Sequence, residues 1–183
     1  MKVLVAGSHG QVGRHLVRLL AEAGYEVKAM IRDESQAREM EDLGGTPVVA
    51  DLEGDPSPTA QGSDAIIFTA GGGPGSGAAK KETVDRGGAV KLIEAAKRYG
   101  VPRYVMVSAM GADDPESGSE GMRPYLRAKG SADAAPSLGR RGEITREDTA
   151  RVLATTLTAT NTHGKTFKVL SGDKPVEEAV NGL

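Results

Sequence analysis

The stretch VLVAGSHGQVGRHLVRLL, residues 3–20, decides how this chain is read. Four apolar residues run into Gly7, two more glycines follow at intervals of three, and an amphipathic pattern then begins. KVLVA (2–6) reads as a short buried strand. From about Gln11 to Ala23, Val12, Leu16, Leu19, Leu20 and Ala23 form one apolar stripe at helical spacing. Three glycines between a strand and a helix have a physical rationale. The first permits a sharp turn, the second lets a pyrophosphate approach the backbone, and the third lets the helix pack closely. Helix N–H groups and the helix dipole then face the anion. In this reading Gly7, Ser8, His9, Gly10, Gln11, Val12 and Gly13 form a dinucleotide-binding loop, spaced GxxGxxG.

The pattern continues outward. Gly24 suits a helix C-cap, and YEVKAMI (25–31) reads as a second strand. A helix is expected over 33–43, a strand over 46–50, and a fully covered strand over DAIIFTA (64–70). A long helix follows at 80–99, with Ala89, Leu92, Ile93 and Ala96 facing inward, and a fifth strand at 103–109. Strands alternating with helices imply right-handed crossovers and a parallel sheet. The fold class is therefore α/β, a doubly wound parallel sheet in three α/β/α layers. Beyond it, GADDPESGSEG (111–121) reads as an acidic Gly/Ser-rich loop, with helices at about 122–134 and at 145–157. Thr145 and Asp148 open the second of these as a near capping box. A last strand is expected at 165–171 and a helical turn at 176–180.

Composition narrows the function. The 183 residues suit a single domain (1–183), whose part from about 135 to 183 holds the substrate-side region. A formal net charge of -2 argues against nucleic acid as a partner. There are no cysteines, which removes disulfides and thiolate chemistry. His9, His15 and His163 are scattered, so no metal is expected. No apolar run suits a membrane span, and a soluble cytoplasmic protein is the expectation. A small-molecule substrate is the expected partner, with a homodimer as an option.

The end of the second strand bears on cofactor choice. An acidic residue there suits the ribose 2′-OH of NAD, and an arginine suits the 2′-phosphate of NADP. Arg32 and Asp33 stand side by side; Arg32 lies nearest the strand tip, which favours NADP and leaves NAD open. Asp33 also suits the N-cap of the next helix. Ser108 closes the fifth strand, at the edge where doubly wound sheets bind ligands. Tyr125 and Lys129 follow at i and i+4, on one helical face. A phenol has a pKa of about 10, and a neighbouring ammonium lowers it toward neutral acid–base work.

Together, VLVAGSHGQVG, AMIRD, VVADL (48–52), FTAG (68–71), VMVSAMG (105–111) and YLRAK (125–129) resemble the short-chain dehydrogenase/reductase superfamily. The likeness is to its atypical NAD(P)-binding branch, near the NmrA-like and epimerase-like proteins, and covers most of residues 1–130. The resemblance implies that Asp51 and Leu52 lie along the adenine, and that Ala70, Gly71 and Gly72 border the cofactor's ribose. It implies Ser108, Tyr125 and Lys129 as the catalytic trio, with Lys129 also holding the nicotinamide ribose. Asp85, in VDRGG, stands where many extended members carry asparagine, which makes it a support residue. The implied activity is reduction of a carbonyl or oxidation of an alcohol; a non-catalytic NAD(P) sensor and an epimerase-like enzyme are the alternatives.

One departure stands out. The family normally follows its YxxxK helix with an apolar strand and a Pro-Gly turn that build the substrate pocket. Here only GSADAAPSLGRRGE (130–143) precedes the next helix, with no strand-like run. The final strand at 165–171 would then lack its usual neighbour.

Overall fold

A computed structural model describes residues 1–73, 76–109, 112, 114–117, 123, 126–127 and 143–183. Five parallel strands form one sheet: β1 (Lys2–Ala6), β2 (Glu26–Ile31), β3 (Thr46–Val49), β4 (Ala65–Phe68) and β5 (Arg103–Met106). Their order is β3-β2-β1-β4-β5. The chain winds outward one way from β1 and then returns to the other side of it. The switch point therefore lies between β1 and β4, where open α/β sheets bind ligands beyond their carboxyl ends. The expected doubly wound sheet is present.

The strands exist because alternate residues can be buried on opposite faces. Val3 and Val5 join α1 (Gln11–Glu22) on one face, packing with Leu16, Val17 and Leu20, and with Ala150 and Leu153 of α5 (Arg146–Thr156). Leu4 and Ala6 point the other way, into a second core with Ile66, Phe68 and Leu92. Every residue of β4 is buried, which explains its unbroken apolar sequence. Each fully buried Leu or Ile side chain contributes about 1.5–3 kcal/mol in area terms. Gly24, at φ +80, ends α1 in the left-handed conformation that glycine adopts without penalty.

Four expectations need adjusting. Residues 33–43 form a 3-10 turn (Glu34–Gln36) and a short α2 (Ala37–Asp42). The helix expected at 80–99 begins earlier and is not uniformly α. It runs as α3 (Ala78–Lys80), a π-helical segment (Lys81–Gly88) and α4 (Ala89–Tyr99). Two adjacent glycines and β-branched Thr83 and Val84 are poor α-helix formers, so the wider turn forms where tertiary contacts favour it. Of the helix expected at 122–134, residues 123, 126 and 127 are helical and the rest lies outside the described residues.

The strand expected at 165–171 does not form. A strand needs a ladder partner, and among the described residues the sheet ends at β5. The apolar residues of this segment are packed instead. Phe167 and Val169 lie against Ile144, Val152 and Val180, the last in the expected terminal helix α6 (Val176–Asn181). They border a cavity of about 190 Å³. The N–H of Ser171 donates to the Glu143 carbonyl at 2.8 Å, tying the segment to the start of α5. No helix of the described residues is long and apolar enough to cross a membrane.

Thr145 caps α5 as expected: its Oγ1 accepts from the Asp148 N–H at 3.0 Å. Thr145→Ala should cost about 1 kcal/mol, lowering the thermal midpoint by about 2–4 °C in a scanning calorimeter.

Candidate functional site

The glycine loop is built by two close approaches. Gly7 has φ +86, and a Cβ there would lie 2.7 Å from the Cα and N of Ala70. The loops after β1 and β4 thus meet backbone to backbone. Gly13 is equally constrained, since a Cβ on it would sit 2.2 Å from the Gly7 carbonyl oxygen. The third glycine accommodates the loop itself as well as the helix. Gly10 differs from both. It is the extended N-cap of α1, and a Cβ there would meet only the Gly7 oxygen, at 3.1 Å. The protein's own packing places little demand on glycine at 10.

No side chain caps α1, and its first turn carries no acidic residue. The orphan N–H groups and the positive dipole end therefore face the open carboxyl edge, the requirement for holding a diphosphate. Gln11, Val12 and Gly13 supply these groups. Ser8 contributes main chain only, because its buried hydroxyl donates to the Met30 carbonyl at 2.7 Å and ties the loop to β2. This donor set and the bare Gly10 fit a dinucleotide.

The tip of β2 separates its two charged residues. Asp33 Oδ1 accepts from the Ser35 N–H at 2.8 Å, and hydrogen bonding from the Ser35 side chain and then from this N–H holds its carboxyl below the usual range. Arg32 is exposed, and its guanidinium makes no hydrogen bond or ion pair with the described residues. Beside them stands a cluster that sequence reasoning missed. Arg14 Nε donates to Glu39 Oε1 at 2.6 Å, and His9 Nε2 lies 2.9 Å from Glu39 Oε2. This joins the glycine loop and α1 to α2, and the Arg14 guanidinium holds the Glu39 carboxyl below its ordinary value.

Past β3, Asp51 Oδ1 accepts from the Glu53 N–H, while Leu52 is buried against Gly88. Lys91 Nζ donates to the carbonyls of Leu52, Glu53 and Gly54 at 2.9, 3.0 and 2.8 Å. Glu53 accepts from Lys80 and Thr83. On the β4 side, Ala70 is buried against Gly7, and Gly71 and Gly72 follow. The Gly72 N–H donates to Asp85 Oδ2 at 2.8 Å. The mid-helical Gly87–Gly88 pair was the sequence signal for this unusual helix, and it reads equally well as a weak α-helix.

Ser108 lies two residues beyond β5. The Val107 N–H bonds the Phe68 carbonyl, so the ladder carries the chain to the sheet edge. The Ser108 hydroxyl is buried and has no hydrogen-bond partner among the described residues. Tyr125 and Lys129 lie outside the described residues. Tyr104 is no substitute for Tyr125, since burial pushes its phenol well above the ordinary value and its hydroxyl donates to Ala89.

Residues 7–137 match the NAD(P)H-binding family. The chain belongs to that family. YhfK of Bacillus subtilis, named as an uncharacterised sugar epimerase, is 36% identical, with both chains covered in full. Among solved structures, a Bacillus halodurans protein assigned as an NAD-dependent epimerase/dehydratase is 37% identical at TM-score 0.91, again with full coverage of both. The oxidoreductase ylbE of Lactococcus lactis shares the fold at 24% identity and TM-score 0.85, over 100% of this chain and 96% of that one. The alignment to YhfK runs over 215 positions against 183 residues here, so 32 positions have no residue of this chain opposite them. Since both chains are covered in full, that shortfall is internal.

Gly13→Ala should lower stability by about 1–3 kcal/mol, because backbone must move to admit the methyl. Gly10→Ala should cost about 0.5–1 kcal/mol as a cap change, while losing dinucleotide affinity; calorimetric melting and titration separate the two effects. Glu39, with its folded pKa depressed, adds stability above the ordinary carboxylate range and loses it as pH falls through the folded value. Glu39→Gln should therefore narrow the difference in thermal midpoint between pH 7 and pH 3.

Proposed function

We propose that this family member is an NADP(H)-preferring oxidoreductase of the short-chain type, acting on a carbonyl or alcohol of a small molecule. The observation that carries the cofactor preference is the tip of β2: Asp33 is engaged as a cap, and Arg32 presents a guanidinium that makes no hydrogen bond or ion pair with the described residues. A guanidinium pairs with a phosphate through two parallel hydrogen bonds, which a ribose hydroxyl cannot match. When bound, reduced nicotinamide supplies a hydride to the carbonyl carbon.

The chain's residues would supply the rest. Ser108 donates its hydroxyl hydrogen to the substrate oxygen, for which its unpartnered Oγ is suited. Tyr125 delivers the proton that completes the alcohol, and Lys129, one helical turn on, stabilises the phenolate left behind. Lys129 also holds the nicotinamide ribose. In the oxidative direction each step reverses.

A second reading, binding without turnover, is supported by the sequence after Lys129, which lacks the strand-like run that the family resemblance implies for the substrate pocket. Epimerase-like chemistry, which the names of two relatives suggest, would use the same three side chains on a sugar nucleotide.

Titration with NADPH and NADH, read by nicotinamide fluorescence, tests the cofactor reading. NADPH should bind more tightly by about tenfold or more, and Arg32→Ala should remove most of that preference while leaving NADH nearly unchanged, as expected for loss of one charged pair. Equal binding of the two by the wild type would overturn the preference. A carbonyl screen with Tyr125→Phe then tests catalysis, since the variant should keep cofactor affinity and lose turnover. Tight cofactor binding with no turnover on any carbonyl or sugar nucleotide would favour the sensor.

A further inference from the structure

The site's loops divide into two halves around Gly7. The tips of β2 and β3 carry Arg32, Asp51 and Leu52, and the tips of β4 and β5 carry Ala70 to Gly72 and Ser108. A dinucleotide lying across the switch point would place its adenosine end on the first group and its nicotinamide end on the second. One helical run serves both. Lys80, Thr83 and Lys91 hold the β3 loop, whereas Asp85 holds the β4 loop by accepting a hydrogen bond from the Gly72 N–H.

The Asp85 arrangement is costly for what the fold requires. Its side chain is 1% exposed, and taking a carboxylate out of water costs several kcal/mol before compensation. Its donor, the Gly72 N–H, belongs to a half-exposed residue at the sheet rim, where water would serve as a partner. The neighbouring Gly71 is bare toward the same carboxylate, because a Cβ there would lie 2.9 Å from Asp85 Oδ1. The π-helical segment that carries Asp85 also departs from the regular helix on either side of it. A buried anion, a widened helix and an adjacent glycine all converge on one peptide group.

We propose that Asp85 is a positioning residue for the nicotinamide half of the cofactor. Its carboxylate fixes the Gly71–Gly72 peptide so that the β4 loop borders the nicotinamide ribose without intruding on it. This rests on the dinucleotide-binding reading above and assigns a separate role within it. Asp85 acts through the loop and needs no contact with the cofactor.

The test compares NADPH with 2′,5′-ADP, which carries only the adenosine half, by isothermal titration of the wild type and of Asp85→Ala, Asp85→Asn and Gly71→Ala. Asp85→Ala should weaken NADPH by about tenfold or more, the scale of a hydrogen bond to a charged group, with 2′,5′-ADP nearly unchanged. Asp85→Asn keeps an acceptor for Gly72 and should recover most of the affinity. Gly71→Ala displaces the carboxylate from the other side and should reproduce the selective loss; it decides the matter should Asp85→Ala fail to fold. Equal weakening of both ligands in Gly71→Ala, undiminished NADPH binding in a folded Asp85→Ala, or no recovery in Asp85→Asn would overturn the proposal. A wild type that binds neither ligand would instead overturn the dinucleotide reading itself.

Discussion

The carboxyl edge of the sheet depends on one close approach, the bare Cα of Gly7 against the backbone of Ala70. A side chain at 7 would need the left-handed conformation and would also collide with β4's exit. With glycine there, the β1 loop turns sharply enough to start α1 facing the opening, and the two central strands keep their pairing to the last residue, Ala6 with Phe68. Thr69 then seals the junction by donating its hydroxyl to the Ala6 carbonyl at 3.1 Å. The uncapped helix end, the β2 tip and the β4 loop acquire their relative positions from that contact.

The five strands and the glycine loop were legible in the sequence because each depends on local pattern. β4 reads as an unbroken apolar run because both its faces are covered, and α1 reads as a stripe because only one of its faces is. Thr145 was legible as a cap because a cap requires only two residues three apart. Ser8 was harder: a serine inside a phosphate loop suggests a donor to the ligand, and only the fold shows its hydroxyl turned to Met30. The Arg14–Glu39–His9 cluster joins residues up to 30 apart in the chain, and the Lys91 contacts join residues nearly 40 apart. No periodicity encodes such distances.

Residues 165–171 illustrate the opposite limit. KTFKVLS has the composition of a strand, and Phe167 and Val169 are correctly placed to bury one side. Strand character nevertheless belongs to a pair of segments, since the ladder bonds need a second backbone. Sequence propensity reports only how well a segment would fit if a neighbour were there. Among the described residues no strand pairs with the outer edge of β5, which is half-buried along its length while β4 is fully covered.

The division of labour along the edge follows from charge. In the proposed reading the glycine loop is an anion site made of main-chain dipoles, which gain strength from being fixed and lose little by carrying no formal charge. Formal charges then refine it at a distance, with Arg32 left open at one end. Carboxylates near a diphosphate would repel it, and the structure contains them by giving each a local task. Asp33 caps a turn, Glu39 is paired with Arg14, Glu53 is held by Lys80 and Thr83, and Asp85 is buried against a peptide N–H. Each of these carboxylates is hydrogen-bonded within the protein, and in the proposed reading the helix end and Arg32 are the groups that meet the bound anion.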